Sequence, residues 1–461
     1  MAPPYPADTI AAIATAPGAG AIAIVRVSGS DTYAIADRLF RSAPPAPSAR
    51  AASTFAHGQI HHPDSGEILD DALLLVFRAP HSYTGEDSVE IQCHGGSQAA
   101  RRILEALLAA GVRQAEPGEF TRRAFLNGKV DLTQAEAVLD LIHARSERAA
   151  RLATAQLDDA LGIRMRALYA TLLGAAADIE AMLDFPDDEL PQSVPAVLIG
   201  RLAPISTEIK TLLATWQEGH VLREGARVVI AGAPNVGKST LLNLLAGRDR
   251  AIVSPHPGTT RDTIEEEVVL HGYPVQLVDT AGLRDAPCEI EQEGIRRTHR
   301  ALAEADLCIC LVDASRGLSG SEISFLKAHA PEKILVLGNK TDLGCQIRPE
   351  NLPEYDFLPI SLKSDPKLDQ ITAKMIQKVL QKPSGADSGT LAISARHRNS
   401  LSIALNEVAF AEKLLGGGSE ADILLAATHL RTALDEIGRI FGKNCTEETL
   451  DAIFSRFCVG K

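Results

Sequence analysis

The chain is short of positive charge: 46 Lys and Arg stand against 59 Asp and Glu, a formal net charge of −13. The summed field repels phosphate, so a histone-like or generic RNA-coating role is excluded, and any nucleic acid must be met by local basic patches or through a partner. Its seven cysteines are odd in number and show no C-x-x-C spacing, which argues against a disulfide scaffold. No N-terminal stretch joins positive charge to an export-length apolar core, so a reduced, cytosolic protein is expected. Every long apolar stretch is broken by charge or glycine, and no membrane span is expected. Internal repeats are also missing. With 461 residues, two to four domains with full cores are expected.

Residues 1–125 carry an α+β pattern. The runs 21–27 and 72–77 are β-like, 88–92 alternates at period two, and 97–110 has helical spacing, with a Pro/Ala/Ser-rich linker at 42–53. Arg26 interrupts one apolar strand and Glu90 lies in the alternating one; charge in such a run is either a solvated edge or has a partner or ligand. Residues 132–183 are rich in Ala, Leu, Arg and Glu, and Thr133-Gln134-Ala135-Glu136 is a capping-box pattern expected to start a long helix. Its charged face is read as solvated surface. A further helical stretch, 193–222, follows. From 225 to 382 strands at 227–231, 265–270, 275–279, 307–313, 334–338 and 357–361 alternate with helices, as in a doubly wound sheet. After a linker at 383–389 the chain is helical again from 396 to 457. Two helical segments flanking an α/β domain are most simply one bundle into which that domain is inserted.

Chemistry concentrates at 232–240, Gly-Ala-Pro-Asn-Val-Gly-Lys-Ser-Thr, between an apolar strand and a helix. Gly232 and Gly237 let backbone N–H groups curl around phosphate, Lys238 supplies charge, and Ser239 is placed to hold Mg²⁺. Thr260 in Gly258-Thr259-Thr260 can complete the metal shell, and Asp279-Thr280-Ala281-Gly282 ends a strand with a carboxylate for Mg²⁺ through water and a glycine N–H for the γ-phosphate. In Asn339-Lys340-x-Asp342, Asp342 would accept from guanine N1–H and its amino group, which adenine cannot offer, and Asn339 would face the purine N7. Ser361-Leu362-Lys363 is placed for backbone contact to O6. GTP is therefore the expected substrate, and an ATPase or kinase reading conflicts with Asp342.

Leu283 stands where many small GTPases carry a water-orienting glutamine. Another group must hold the water, and the acidic stretch Glu289-Ile290-Glu291-Gln292-Glu293 is the nearest candidate. Asn235 and the loop 254–259 offer an oxygen-rich cage suited to a monovalent cation.

Outside these motifs lie Ser82-Tyr83-Thr84-Gly85-Glu86-Asp87, His94-Gly95-Gly96, Pro117-Gly118-Glu119-Phe120-Thr121-Arg122-Arg123-Ala124-Phe125-Leu126-Asn127-Gly128-Lys129, Asp131-Leu132-Thr133-Gln134-Ala135-Glu136-Ala137 and the terminal Phe457-Cys458-Val459-Gly460-Lys461. With them the sequence resembles the tRNA-modification GTPase family MnmE, also called TrmE, over nearly its whole length. The resemblance implies an N-terminal α+β folate-binding and dimerisation domain (1–125), a helical domain from two segments (126–224 and 383–461), and an inserted P-loop G domain (225–382). It places folate contacts on Arg26, Glu90, Lys129 and Lys461, with a 5-formyl or related tetrahydrofolate as ligand. Potassium would be held by Asn235, Ser254, His256 and Thr259, magnesium by Ser239 and Thr260, and the hydrolytic water by Glu291. Nucleotide contacts fall on Asn235, Val236, Gly237, Lys238, Ser239 and Thr240; on Ser254, Pro255, His256, Pro257, Gly258, Thr259 and Thr260; on Asp279, Thr280, Ala281 and Gly282; and on Asn339, Lys340, Asp342, Ser361, Leu362 and Lys363.

The family is a homodimer that works with a flavoprotein partner, MnmG, as a heterotetramer; FAD belongs to the partner. Together they add an aminomethyl-type group, such as carboxymethylaminomethyl, at C5 of the wobble uridine of certain tRNAs. Cys458 matches a cysteine needed for modification but not for hydrolysis, whereas Cys308 and Cys310 read as core. The sequence departs from the family at Gly18-Ala19-Gly20-Ala21, which lacks the usual arginine, and at Leu362, where alanine is usual. A regulatory switch in ribosome assembly, without RNA chemistry, is the alternative; the G motifs admit it, and the N-terminal motifs with the Cys458 tail oppose it.

Overall fold

A computed structural model describes residues 8–184, 194–247, 265–279, 302–381, 391–417 and 419–461. The chain divides into two compact units, Met1–Leu139 with Gly438–Lys461, and Asp140–Ile437.

The first unit is built on a seven-stranded sheet in the order β3-β4-β5-β6-β2-β1-β7. The strands are β1 Ile10–Ile13, β2 Ile22–Ser28, β3 Phe40–Ser42, β4 Thr54–His61, β5 Ile68–Phe77, β6 Ser88–His94 and β7 Arg113–Gln114. Alternation along β5 buries Ala72, Leu74 and Val76 on one face, where they join Tyr33, Leu39, Ile103 and Leu107 from helices Thr32–Leu39 and Ser97–Ala109. The linker at 42–53 is shorter than its composition suggests, because β3 reaches Ser42 and a 3₁₀ turn occupies Pro47–Ala49.

The helix after Asp131 starts one cap earlier than the Thr133 pattern predicts. Asp131 Oδ1 accepts from the Gln134 N–H at 2.9 Å, and Gln134 Oε1 accepts from the Asp131 N–H at 3.0 Å. This reciprocal box starts Leu132–Ile142 because Leu132 must be helical to reach a core shared with Leu450, Phe454 and Phe457. The expected long helix is broken into Leu132–Ile142, Glu147–Leu157, capped by Ser146, and Ala160–Asp184.

The second unit carries a six-stranded sheet, β13-β12-β11-β8-β10-β9. Its strands are β8 Ala226–Gly232, β9 Glu265–Leu270, β10 Tyr273–Asp279, β11 Leu307–Asp313, β12 Ile334–Asn339 and β13 Asp356–Pro359. All neighbours run parallel except β9, which forms a hairpin with β10. β12 is buried along its whole length and β11 up to Val312, as expected of parallel strands covered on both faces. Cys308 and Cys310 are buried there, and burial pushes the Cys310 thiol up to about 12. β13 ends at Pro359, short of the predicted Ser361, since the chain turns there to bring Ser361 back toward Asp342.

Helices flank this sheet in sequence on both sides, and Val194–Leu213 packs on Ala395–Gly417. Arg223 grips the returning chain: it donates to the Ile393 carbonyl at 2.8 Å, the Ala392 carbonyl at 3.2 Å and Asp140 at 2.6 Å. Gly219 permits the approach, for a Cβ there would lie 2.6 Å from the Ala392 Cβ.

Candidate functional site

β8 lies where the strand order reverses, with β10 on one side and β11 on the other. In such sheets ligands sit beyond the carboxyl ends of the strands at this point, and the sequence motifs gather there. Gly232 ends β8 with φ +154°, and a Cβ on it would come within 2.3 Å of the Leu311 carbonyl oxygen. Asn235 takes φ +58°, and Gly237, at φ +110°, precedes the helix Lys238–Ala246. The helix N-terminus and the loop amides form an anion-binding concavity. Lys238 is nearly buried, and its ammonium donates to the carbonyls of Gly232 and Ala233 at 3.1 and 2.9 Å, so it is held at the mouth of the loop.

The Ser239 hydroxyl donates to Asp279 at 3.3 Å. A hydroxyl and a carboxylate from two separate motifs thus converge beside the phosphate cradle, a hard-oxygen pair fitted to Mg²⁺. Thr240 and Asn235 are exposed, while Val236 is buried. Thr260, the expected cation-loop residues Ser254, Pro255, His256, Pro257, Gly258 and Thr259, the expected γ-phosphate residues Thr280, Ala281 and Gly282, and Glu291 lie outside the described residues.

The base side is knitted to the phosphate side by Asn339. It is 5% exposed, donates through Nδ2 to the Val236 carbonyl at 2.8 Å, and accepts at Oδ1 from the Leu362 N–H at 2.9 Å. Asp342 accepts from the Ser361 hydroxyl at 2.7 Å, and Ser361 is itself steadied by the Ser364 hydroxyl at 2.9 Å. Lys340 occupies the left-handed region at φ +65° and pairs with Asp313 at 2.9 Å. Lys363 is exposed.

A second constellation lies in the first unit. Arg26 and Glu90 face each other across the β2–β6 register. The Arg26 Nε donates to Glu90 at 2.9 Å and a terminal nitrogen lies 2.8 Å from the same oxygen, with side chains 14% and 18% exposed. Arg26 therefore has a partner and is no solvated edge charge. The guanidinium also lies over the rings of Tyr83 and Phe120, 5.1 and 5.5 Å from their centroids, and donates to the Gly460 carbonyl at 3.4 Å. The C-terminal tail is thereby brought to a strand 434 residues away. It docks through a bridge between Val459 and Pro117 and through the Gly118 N–H to the Cys458 carbonyl at 3.5 Å. Burial lowers the Lys461 pKa, Arg26 adds to the lowering, and Glu90 and Cys458 oppose it. Cys458 is exposed. Lys129 donates to the Pro80 carbonyl at 3.0 Å and lies against Gly85 of the Tyr83 loop.

Tyr83 and Phe120 are not among the residues the sequence assigns to a site, although both lie inside motifs shared with the family. Aromatic rings in polar motifs beside an interrupted strand were the available signal. The Tyr83 loop is fixed from below by a buried network. Arg123 donates to Asp8 at 2.7 Å, to Glu119 at 2.9 Å and to Glu86 at 3.2 Å, and Tyr83 shares a 2.8 Å hydrogen bond with Thr121.

Residues 132–458 match the MnmE helical domain, and residues 9–129 match the N-terminus of the GTP-binding protein TrmE. A tRNA modification GTPase MnmE from Geobacter sulfurreducens is 41% identical over 99% of this chain and 100% of its own length. Another, from Moorella thermoacetica, is 43% identical over 98% of this chain and 99% of its own. Among solved structures, the G domain of the T. maritima FeoB iron transporter is 24% identical, with a TM-score of 0.26, covering 33% of this chain and 98% of that one. Full-length identity of this order, with phosphate and base motifs gathered at one sheet edge, makes the chain a member of the MnmE family of tRNA modification GTPases, a GTP hydrolase that acts in tRNA modification.

Proposed function

We propose that the protein is a K⁺-activated GTPase that, as a homodimer joined to an MnmG-type flavoprotein in a heterotetramer, drives addition of an aminomethyl-type group, such as carboxymethylaminomethyl, to C5 of the wobble uridine of certain tRNAs. A 5-formyl or related tetrahydrofolate is the one-carbon source, and FAD is carried by the partner. The reaction belongs to the cytoplasm. The observation that carries this reading is the meeting of Arg26, Glu90 and the Cys458–Lys461 tail at one place, in a unit separate from the P-loop. A switch that only hydrolysed GTP would have no use for it.

In this proposal Arg26 and Lys461 meet the anionic part of the folate, Glu90 accepts from its donor groups, and Lys129 closes the site from the Tyr83 loop. Cys458, exposed beside them, serves the modification chemistry. At the nucleotide, Lys238 leaves its two loop carbonyls for the terminal phosphates. Ser239, with Thr260 and with Asp279 through water, would hold Mg²⁺, which supplies charge to the outer phosphates. Asp342 reads guanine N1–H and the amino group. The Leu362 amide is committed to Asn339, which leaves the Lys363 N–H as the loop's donor to O6. Asn235, with Ser254, His256 and Thr259, would hold K⁺, and Glu291 would orient water. The division into domains at 1–125, 126–224, 225–382 and 383–461, with the G domain inserted into one helical bundle, is supported by the packing of Val194–Leu213 on Ala395–Gly417 and by the Arg223 grip on the returning chain.

Mass spectrometry of tRNA nucleosides from cells lacking the chain tests the reading: C5-modified wobble uridines should disappear, and their persistence would refute it. Exchanging K⁺ for Na⁺ should lower GTP turnover at least tenfold, a loss of about 1.4 kcal/mol in transition-state stabilisation; equal rates would remove the potassium assignment.

A further inference from the structure

The Lys340 ammonium does not hang free over the base site. It is tied to Asp313, the last residue of β11, two residues beyond the Leu311 carbonyl that packs against Gly232. Both carboxylate oxygens of Asp313 are used within the protein. Oδ1 accepts from the Ser315 N–H at 3.1 Å and from its hydroxyl at 2.6 Å, while Oδ2 takes Lys340 at 2.9 Å. The side chain is 12% exposed. Burial alone would raise its pKa, but the hydrogen bonds from Ser315 and Lys340 outweigh that and hold it below the usual carboxylate range. An oxygen pair so occupied has little capacity left for ligand.

Its effect is on the turn that reads the base. Lys340 stands at φ +65°, a conformation that costs a residue with a side chain about 1–2 kcal/mol. The backbone around it is pinned by Ala314 N–H to Asn339 O at 2.8 Å and by Thr341 Oγ1 to Ile360 O at 2.9 Å. The side chain of Lys340 is pinned only by Asp313 among the contacts the structure gives it. Asp342 follows two residues later on the same 3₁₀ turn, Thr341–Leu343. We infer that Asp313 is a positioning residue for guanine nucleotide: it fixes the Lys340 side chain, and with it the left-handed turn that presents Asp342. The inference rests on the guanine-site reading above.

The test is nucleotide affinity measured on the full-length protein by titration with a fluorescent GDP and with GTP. Asp313→Asn keeps size and hydrogen bonding to Ser315 but removes the charge that holds Lys340. It should raise Kd about tenfold and KM in parallel, while kcat at saturating GTP changes less than twofold. Asp313→Glu, which keeps the charge, should recover part of the affinity. In a double-mutant cycle, Asp313→Asn added to Lys340→Ala should cost little beyond Lys340→Ala alone, because the two act through one contact. Unchanged Kd, or additive losses in the cycle, would overturn the inference. Thermal melting of each variant identifies loss of fold, and in that case Asp313→Glu, the milder change, decides. Asp342→Asn separates the two levels: if it leaves GTP affinity intact, the guanine site itself is misassigned; if it weakens GTP while Asp313→Asn does not, only the positioning role fails.

Discussion

Gly460→Ala should detach the C-terminal tail while leaving the rest of the chain folded. Gly460 has φ +99°, and a Cβ there would lie 2.4 Å from the Ile13 carbonyl oxygen and 3.0 Å from the Ala14 Cα. These are backbone atoms of β1 and its exit, so no rotamer change relieves the contact. The unfavourable φ alone costs about 1–3 kcal/mol for a residue with a side chain, and the contact adds to it. Against this, the tail beyond the buried Phe457 is held by few and long hydrogen bonds, Gly118 N–H to Cys458 O at 3.5 Å and Arg26 to Gly460 O at 3.4 Å, each contributing about 1 kcal/mol or less. The strain alone shifts the docked-to-released ratio by roughly 5- to 150-fold, and the contact adds to the shift. Hydrogen exchange of the C-terminal peptide should rise by that factor, and modification of tRNA should fall, with GTP turnover and the melting transition unchanged. Gly111→Ala is the control: its φ is +97° but nothing lies within 4 Å of the added Cβ, so it imposes the strain outside the tail and without a clash. Wild-type exchange and full modification in Gly460→Ala would refute the docking argument.

Glu291→Ala should spare nucleotide binding and slow hydrolysis by at least tenfold, whereas Cys458→Ser should hydrolyse GTP normally and fail to modify tRNA; the reverse pattern would exchange their roles. Glu218 is buried, accepts from Tyr273 at 2.9 Å and pairs with Arg148 at 2.5 Å, so Glu218→Ala should destabilise the second unit by about 2–3 kcal/mol, read by denaturant melting. Acid should act on the first unit through Glu119 and Asp8. Burial raises both pKa values, but for Glu119 the Arg113 contact, the Glu116 N–H and Arg123 outweigh it, and for Asp8 the contacts from Arg113 and Arg123 do. Folded values lie below the unfolded ones, so this stabilisation is complete above about pH 4.5 and is lost as pH falls through the folded values. Glu119→Gln should flatten the acid limb of a thermal-stability profile; an unchanged slope would remove Glu119 from the account.

The nucleotide side was legible because its chemistry is local. A phosphate loop needs glycine at fixed offsets and a lysine and hydroxyl on the first helical turn, so Gly232, Gly237, Lys238 and Ser239 are readable one after another. The sheet was legible too, since strands buried on both faces must be continuous apolar runs, as β11 and β12 are. Helix boundaries were not: Asp131 rather than Thr133 caps its helix, because burial of Leu132 against Phe454 and Phe457 decides where the turn begins.

The sequence by itself determined the family, the preference for guanine in the base motif and the absence of a switch glutamine at Leu283, all carried by residues close together in the chain. Only the tertiary structure decided what Arg26 does. Its partner Glu90 and the Tyr83 ring, the Phe120 ring and the Gly460 carbonyl come from three distant segments. It also decided that Lys340 is held by Asp313, from a neighbouring strand. Periodicity states which face of a strand is buried, but which charges meet on it depends on strand order and register, and those are set by the packing of the whole unit.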